Sequence, residues 1–258
     1  MPEGDSLRRY AERVSALVGD VVTVETPHPR AQLLGLADAL DGRRLEHVEA
    51  VGKNLLLTFE GGLVLRSHLK MRGRWHVRPL AYEPTGRPWL VLRGRKLQAI
   101  QWNGPVLELS RRQPDAVRRL GPDVMDKPPD LDAIVANLRE AGPRPIGEAV
   151  LDQRLVAGIG NIWKAEALWR AEVSPWSLVS ELTDADLRRV VEEAAAAMQA
   201  TRRRRVYRRT GTPCLRCGER IRSWPQGEGA RTAYWCPGCQ GGEPPAAPTV
   251  GQAAARRG

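Results

Sequence analysis

The second and third residues of the chain, Pro2 and Glu3, are of types that could supply a nucleophile and a proton donor from one dipeptide. We expect the initiator methionine to be removed, because the next residue is small, and removal would leave a free secondary amine on Pro2. The pKa of an α-amino group is about 7.7 to 8.0, so a useful fraction is neutral and nucleophilic at physiological pH. Its attack on a sugar carbon or aldehyde would form an iminium, which favours elimination of neighbouring groups.

The neighbours of this amine influence its reactivity. Glu3 is close enough in the chain to donate and accept protons. A helix is predicted from Asp5 onward, and its positive end would lower the pKa of the Pro2 amine. The Glu3 and Asp5 carboxylates would raise that pKa, so the net sign stays open. The alternative is a frayed terminus without a role, since the first residues of most domains are poorly ordered.

A second group of chemically capable residues is formed by the cysteines, all four of which lie toward the C-terminal end: Cys214, Cys217, Cys236 and Cys239. Two residues separate the members of each pair, and 18 residues separate the pairs. This spacing predicts one structural zinc ion on two turns of a β-hairpin, because four thiolates complete a tetrahedron and leave no position for substrate. A redox or disulfide pair is the less favoured alternative. A further alternative is a ribbon that only fastens the C-terminal end.

Basic residues surround these cysteines. The run RRRRVYRR covers 202–209, and four further arginines lie close to the cysteine pairs: Arg216, Arg220, Arg222 and Arg231. Guanidinium groups match the geometry of phosphates, so this segment is suited to phosphate contacts. The alternative is an ordinary solvated face.

A glycine-rich turn, VAGIGNIWKAEALW at 156–169, lies between two helical patterns. Gly158 and Gly160 predict a tight turn, with a second helix beginning near Asn161. The N-terminus of that helix would offer backbone N–H groups and a positive dipole end to a phosphate. No strand precedes the glycines, so a dinucleotide-binding turn is excluded. A helical hairpin within a core remains the alternative.

Composition favours a polyanionic partner. The chain has 258 residues, with 40 Lys plus Arg against 30 Asp plus Glu and a formal net charge of +10. Nucleic acid is favoured over membrane, because no segment approaches the run of about 18 to 20 apolar residues that spans a bilayer. The N-terminus lacks a signal-peptide pattern, so we expect a soluble cytoplasmic protein.

The elements that must position these residues change in character along the chain. A helical pattern covers 5–18, with Asp5 and Ser6 as N-cap candidates. Short β-rich runs then predict an antiparallel sandwich or barrel: VVTVET, LEHVEAV, NLLLTF, LVLRSHL, GRWHV, PWLVLR, KLQAIQ and PVLEL. Helical patterning follows from about residue 120. The predicted fold class is α+β, with units at 1–115, 125–210 and 211–240 and a disordered tail at 241–258.

Several segments, in this order, resemble the formamidopyrimidine-DNA glycosylase and endonuclease VIII family. They are MPEG, GKNLLL (52–57), SHLKMRGRW (67–75), LGPDVMD (120–126), LDQRLVAGIGNIWKAEALW (151–169) and RVYRRTGTPCLRCG…RTAYWCPGCQ (205–240). The resemblance covers nearly the whole chain except its tail. It implies a catalytic β-sandwich, a helix-two-turn-helix domain and a four-cysteine zinc ribbon. It also implies a bifunctional repair enzyme that flips a damaged base from DNA, cuts its glycosidic bond and breaks the strand by β- and δ-elimination.

The resemblance also implies roles for individual residues. Pro2 would be the Schiff-base nucleophile, and Glu3 the general acid and base. Lys53 would hold a phosphate or assist at the sugar, although an ordinary exposed lysine is the alternative. Asn161 and Arg231 would bind the phosphates that flank the flipped nucleotide.

A flipped base leaves a gap in the stack that side chains from SHLKMRGRW would fill. The candidates are Leu69 and Met71, with Arg72 nearby. Leu69 has a strong alternative as a residue of the sandwich core. His68 would contact phosphate, or else be structural.

The chain departs from the family pattern in two places. Family members commonly continue the opening with Pro-Glu at positions 5 and 6, where this chain has Asp5 and Ser6. The segment 162–213 is also short, which leaves little room for the long loop with which purine-directed members cover oxidised guanine. These departures favour the endonuclease VIII branch, with oxidised pyrimidines and abasic sites as substrates and ring-opened purines as further candidates.

Two other functions stay open. One is an abasic-site lyase without glycosylase activity, and the other is a non-enzymatic zinc-ribbon protein that binds damaged DNA. For the enzyme and for both alternatives we expect a monomer that binds duplex or single-stranded DNA at the bacterial nucleoid. One zinc ion is the expected cofactor.

Overall fold

The computed structural model describes residues 2–200 and 204–244. Its strands are β1 (Thr23–Glu25), β2 (Leu45–Val51), β3 (Asn54–Phe59), β4 (Leu63–His68), β5 (Arg74–Pro79), β6 (Leu90–Arg93), β7 (Leu97–Trp102), β8 (Val106–Ser110), β9 (Arg222–Gln226) and β10 (Arg231–Trp235). Its helices are α1 (Gly4–Val14), α2 (Pro29–Gln32), α3 (Leu36–Leu40), α4 (Asp115–Arg118), α5 (Leu131–Arg139), α6 (Ile146–Ala149), α7 (Asn161–Arg170), α8 (Asp184–Ala200) and α9 (Pro237–Gln240). Short 3-10 turns cover Ser15–Leu17 and Val179–Glu181.

The first eight strands form two antiparallel four-stranded sheets. Their strand orders are β1-β6-β7-β5 and β2-β3-β4-β8. Alternating side chains of both sheets meet in one core, to which β3 contributes Leu55, Leu57 and Phe59. The predicted antiparallel sandwich is therefore confirmed.

Helix α1 closes one side of this core. Leu7, Ala11 and Val14 follow the spacing of one helix face and are buried against β2, β3 and β5. The helix begins at Gly4 with Glu3 as its N-cap, and no side chain caps it. The predicted N-cap roles of Asp5 and Ser6 are wrong, because the helix begins at Gly4 and both residues lie inside its first turn.

Helix α7 is the centre of the helical part. Every residue from 161 to 169 is buried, because α7 packs against α8 on one side and against the β9–β10 hairpin on another. Ile162 and Leu168 belong to the core shared with α5 and α8, whereas Ala165 and Trp169 belong to a small core beneath the hairpin. Residues 161–169 are therefore fixed from several directions.

The predicted second helix of the glycine-rich turn is confirmed, since α7 begins at Asn161. The helical element before it is short, and turns connect α6 to Gly158. The predicted tail lies outside the described residues from 245 onward, as do 202 and 203 of the basic run. No helix in the described part of the chain has the length and apolar character to cross a membrane.

Candidate active site and nucleic-acid interface

The carboxylate of Glu3 lies at the N-terminus of α7. Its Oε1 accepts a hydrogen bond of 2.8 Å from the backbone N–H of Ile162, and its Oε2 accepts one of 3.2 Å from that of Trp163. Gly160, the N-cap of α7, provides no side chain for these donors. The prediction that this terminus is a phosphate seat is therefore wrong for these two N–H groups, because Glu3 occupies them.

Glycines allow this close approach. A methyl group at Gly160 would overlap the Glu3 carboxyl, and one at Gly4 would press against the backbone of Gly158. The Gly4 N–H donates to the Gly158 carbonyl at 3.1 Å. Pro2 is half-buried beside this junction. Met1, whose removal the sequence predicts, lies outside the described residues.

Burial raises the pKa of Glu3 above its ordinary value. The N–H groups of Ile162 and Trp163 and the charge of Lys53 oppose this rise, and the charge of Asp5 adds to it. A carboxyl in such a position retains its proton to higher pH than an exposed glutamate does. It is therefore suited to act as a general acid.

Lys53 lies in the two-residue turn between β2 and β3. Gly52, the first residue of this turn, has φ +58°, a conformation that favours glycine. Burial lowers the pKa of Lys53 to about 8, the charge of Glu3 raises it, and the charge of Arg231 lowers it. Lys53 is therefore close enough to Glu3 and Arg231 for their charges to act on it. The three residues come from the sandwich, from the start of α1 and from the hairpin.

Asp123 fixes the turn that carries Lys53. Its Oδ2 accepts from the Gly52 N–H at 2.8 Å, and its Oδ1 accepts from the Met125 N–H at 2.8 Å. Arg8 of α1 pairs with it at 3.5 Å. This residue belongs to LGPDVMD, a segment recognised in the sequence, but only the fold reveals that it supports Lys53.

The loop between β4 and β5 presents one apolar side chain to solvent. Met71 is 56% exposed and Arg72 is exposed, whereas Leu69 is 1% exposed within the sandwich core. Leu69 is therefore not available to fill a gap in DNA, because it packs beneath the loop. Met71 and Arg72 remain accessible.

His68 ends β4 beside Asn54, the residue that follows Lys53. Burial, together with the charges of Lys70, Arg66 and Lys53, lowers the pKa of His68 to about 4. The imidazole is consequently neutral at physiological pH. Its Nδ1 accepts from the Lys70 N–H at 3.2 Å, which leaves Nε2 as a hydrogen-bond donor.

Asn161 and Arg231 lie at the contact between α7 and the hairpin. The Asn161 side-chain amide donates to the Thr232 carbonyl at 2.9 Å, and its Oδ1 is buried with no hydrogen-bond partner in the described residues. Arg231 begins β10 and is exposed. Asn161 is thus attached to β10 at Thr232, the residue that follows Arg231. This hydrogen bond holds the two residues predicted to bind phosphate close together.

The other arginines of the hairpin segment make contacts with neighbouring residues of the protein. Arg216 stacks on the Trp169 ring at 4.3 Å and pairs with Glu172 at 2.7 Å. Arg222 pairs with Glu243 at 2.9 Å, and Arg220 donates to the Gly211 carbonyl at 3.0 Å. All three are nevertheless exposed, so their suitability for phosphate contacts stays a prediction.

Two buried charged residues of α7 were missed, because both read as part of its helical pattern. Lys164 is 1% exposed and donates to Gln226 Oε1 at 3.3 Å, and burial lowers its pKa to about 8. Glu166 accepts hydrogen bonds from the backbone N–H groups of 205–207, at 2.8 to 3.0 Å. It therefore anchors the basic run to α7.

The four cysteines lie together at the base of the hairpin. Their Sγ atoms are all within 4.8 Å of one another, with 3.8 Å between Cys214 and Cys239 and 3.3 Å between Cys217 and Cys236. A tetrahedral zinc ion with Zn–S bonds of about 2.3 Å requires Sγ separations of about 3.8 Å. None of the four is in a disulfide. The arrangement fits a four-thiolate metal site.

Comparisons with known proteins agree with this geometry. Residues 1–109 match the formamidopyrimidine-DNA glycosylase N-terminal domain, and 120–206 match the formamidopyrimidine-DNA glycosylase H2TH domain. The "Probable endonuclease 8 2" of Streptomyces coelicolor is 38% identical over 95% of this chain and 96% of that protein. The "DNA-(apurinic or apyrimidinic site) lyase Nei2" of Mycolicibacterium smegmatis is 34% identical over 93% and 99%. The "Endonuclease 8" of Klebsiella pneumoniae is 30% identical over 93% and 100%.

Solved structures share the fold. The complex of Lactococcus lactis Fpg with DNA containing an abasic site superposes with a TM-score of 0.77 at 22% identity, covering 93% of this chain and 99% of that one. MutM in complex with DNA containing carbocyclic 8-oxo-G gives 0.78 at 23% identity, with the same coverage. Both domain matches and the endonuclease 8 relatives place the chain in one family: it belongs to the formamidopyrimidine-DNA glycosylase family.

Proposed function

We propose that this protein is a base-excision repair DNA glycosylase with abasic-site lyase activity, and that it acts on oxidised pyrimidines and abasic sites. The observation that carries the proposal is the Pro2-Glu3 dipeptide held at the N-terminus of α7 beside Lys53. Within this family, that arrangement brings a candidate amine, a proton-retaining carboxyl and a cation to one point. The bacterial relatives support action at the nucleoid in the cytoplasm.

In the proposed reaction, Glu3 donates a proton as the bond between the sugar C1′ and the damaged base breaks. The Pro2 nitrogen replaces the base at C1′. The C1′–O4′ bond of the sugar ring then breaks as the proton of the Pro2 amine passes to O4′, and this leaves an iminium. This iminium acidifies the neighbouring C2′ hydrogen, so β-elimination expels the 3′ phosphate and δ-elimination expels the 5′ phosphate. Water as well as deprotonated Glu3 can accept the protons released in these steps, so elimination does not depend on Glu3 alone.

The proposed DNA contacts lie around this centre. Lys53, Asn161 and Arg231 bind the phosphates that flank the flipped nucleotide, and neutral His68 donates to phosphate through Nε2. Met71 fills the vacated stack with help from Arg72, because both side chains extend from the β4–β5 loop. The polar and basic side chains supply affinity, whereas Met71 offsets part of the unstacking cost.

We further propose that different parts of the chain have different roles. Residues 1–115 carry the catalysis and part of the DNA contacts, and 125–210 and 211–240 supply the other DNA contacts. The four cysteines would hold one zinc ion, which supplies structure alone, because four thiolates leave no coordination position for substrate. This ion would hold the hairpin, and thereby Arg231, against α7.

A panel of duplexes with single lesions tests this proposal. We expect base release from oxidised pyrimidines, nicking of abasic sites and no release from undamaged DNA. Nicking without any base release would favour the lyase alternative. DNA binding with neither activity would favour the non-enzymatic alternative. A preference for 8-oxoguanine opposite cytosine would contradict the assignment to the pyrimidine branch.

Replacing Arg231 with alanine is expected to weaken binding of lesion-bearing duplex about tenfold, because one charge-assisted phosphate contact is lost. The slope of log affinity against log salt should fall by about 1. Arg220→Ala is the matched control, since Arg220 lies in the same ribbon but is held by Gly211. Equal losses in the two variants would contradict the proposed role of Arg231.

The affinity for DNA is also expected to fall above pH 8, because Lys53 then loses the charge that binds phosphate. The sign follows from linkage: phosphate binding raises the pKa of Lys53, so binding is weaker wherever free Lys53 is neutral. We expect about a tenfold loss between pH 7 and 9.5. A tetrahydrofuran analogue of the abasic site allows measurement without cleavage.

Lys53→Arg should flatten this profile, because arginine stays charged over the whole range. Lys164→Arg is the matched control, since the pKa of Lys164 is also about 8. A profile flattened by Lys164→Arg and not by Lys53→Arg would assign the titration to Lys164.

A further inference from the structure

A second carboxylate of α1 also reaches α7. Asp5 is 7% exposed, and its Oδ1 accepts a hydrogen bond of 2.9 Å from the indole Nε1 of Trp163. Its Oδ2 pairs with Arg9 at 2.8 Å. The side chain is thus held between its own helix and the first turn of α7.

Trp163 contacts both carboxylates at once. Its backbone N–H donates to Glu3 Oε2, and its indole N–H donates to Asp5 Oδ1. The indole is 9% exposed within the core shared by α5, α7 and α8, so it cannot follow a displaced partner easily. The hydrogen bonds from Trp163 to Glu3 and Asp5 therefore fix the position of the start of α1 on α7.

We propose that Asp5 is a positioning residue for Glu3, and that it acts through Trp163. The inference rests on the proposed role of Glu3 in base release. It concerns a position where the chain departs from the Pro-Glu opening common in the family, and it assigns a purpose to that departure. A proline at position 5 would offer no acceptor to the indole.

The charge of Asp5 also affects the pKa of Glu3. The groups that act on Glu3 are Asp5 on α1, Lys53 in the β2–β3 turn and the N–H groups of 162 and 163 on α7. Lys164, also on α7, is coupled to Glu3 as well. Among these, Asp5 is the one whose negative charge raises the pKa of Glu3. Neutralising Asp5 should therefore lower that pKa, and the limb of the pH profile that Glu3 governs should move to lower pH.

Five variants of the full-length protein separate position from charge. Asp5→Ala and Trp163→Phe each remove the indole hydrogen bond, and their double variant completes a cycle. Asp5→Asn keeps the volume of the side chain and an acceptor oxygen while it removes the charge. Arg9→Gln is the matched control, because it removes the ion pair of Asp5 and leaves the bond to Trp163 in place.

Single-turnover base release from a duplex with one oxidised pyrimidine is the activity readout. We expect Asp5→Ala and Trp163→Phe each to lower the rate about tenfold, and the double variant to be no slower than either. Nicking of a preformed abasic site should change less than base release in each single variant. Asp5→Asn should shift the pH profile toward acid, and Arg9→Gln should retain most of the rate.

The titration of the Glu3 carboxyl, followed by carbon-13 NMR in the free protein, is the second readout. The titration should move to lower pH in Asp5→Asn, whatever reaction the wild-type protein catalyses. Failure of the proposed function would appear as no base release by the wild type. The Glu3 carboxyl resonance would still decide the inference, because it should change in Trp163→Phe and Asp5→Ala and stay unchanged in Arg9→Gln. An unchanged Glu3 resonance in Trp163→Phe and Asp5→Ala, or multiplicative losses in the double variant, would overturn it.

Discussion

Glu3→Gln is expected to lower base release about a thousandfold while nicking of a preformed abasic site largely survives. Base release needs a proton delivered as the glycosidic bond breaks, and the glutamine amide cannot supply one. A preformed abasic site no longer carries a base, so its reaction depends first on the Pro2 amine. The two substrates therefore separate the roles of the two residues.

Geometry sharpens this prediction. Glutamine can still accept from the N–H of Ile162 through its one oxygen, but its amide nitrogen cannot accept from that of Trp163. The variant thus loses one backbone hydrogen bond as well as the transferable proton. Glu12→Gln on the exposed face of α1 is the matched control and should behave as wild type. Equal losses of base release and nicking would contradict the assigned role of Glu3.

Loss of the metal site is the other change with a large expected effect. Cys236→Ser, or removal of metal by a strong chelator, should unfold the hairpin and lower affinity for lesion-bearing duplex about a hundredfold. A two-stranded hairpin is marginal alone, and the core beneath this one is small: Ala165, Trp169, Val206, Cys214, Ile221 and Cys236. A metal ion bound by the four cysteines would therefore supply much of its stability.

Hydrogen exchange locates this effect. Amides of 222–235 should lose protection on chelation, whereas those of β3 and β7 should keep it, because the sandwich has its own core. Restoring zinc should restore both protection and affinity. Full DNA affinity in a metal-free protein with an unprotected hairpin would contradict the proposed role of the ribbon.

Local sequence patterns were sufficient for most elements of the fold. The runs LEHVEAV and NLLLTF have the bounds of β2 and β3, because a glycine-containing turn separates them and apolar residues recur in both. The start of α7 at Asn161 was likewise predicted from Gly158 and Gly160. Such signals come from residues adjacent in the chain, so they need no knowledge of the tertiary structure.

The arrangement of the site depends on contacts between residues distant in sequence. Glu3 and Ile162 are 159 positions apart, and no local pattern shows that one residue caps the helix that begins beside the other. The phosphate-seat prediction failed for the N–H groups of 162 and 163 for this reason. The ion pairs of Arg216 and Arg222 with Glu172 and Glu243 could not be predicted either, because folding brings these partners together.

One prediction turned on the choice between two neighbouring residues. Leu69 and Met71 are both apolar, but the chain turns between β4 and β5, so Leu69 packs into the core and Met71 extends outward. The alternative that placed Leu69 in the core was confirmed.

Borohydride trapping with identification of the attached residue tests the central claim most directly. The protein is mixed with a duplex that contains one abasic site, borohydride is added, and the cross-linked peptide is sequenced by mass spectrometry. The proposed mechanism predicts a reduced adduct on the nitrogen of Pro2, in protein whose intact mass shows that Met1 has been removed. An adduct on a lysine such as Lys53, or strand cleavage by protein that retains Met1, would contradict it.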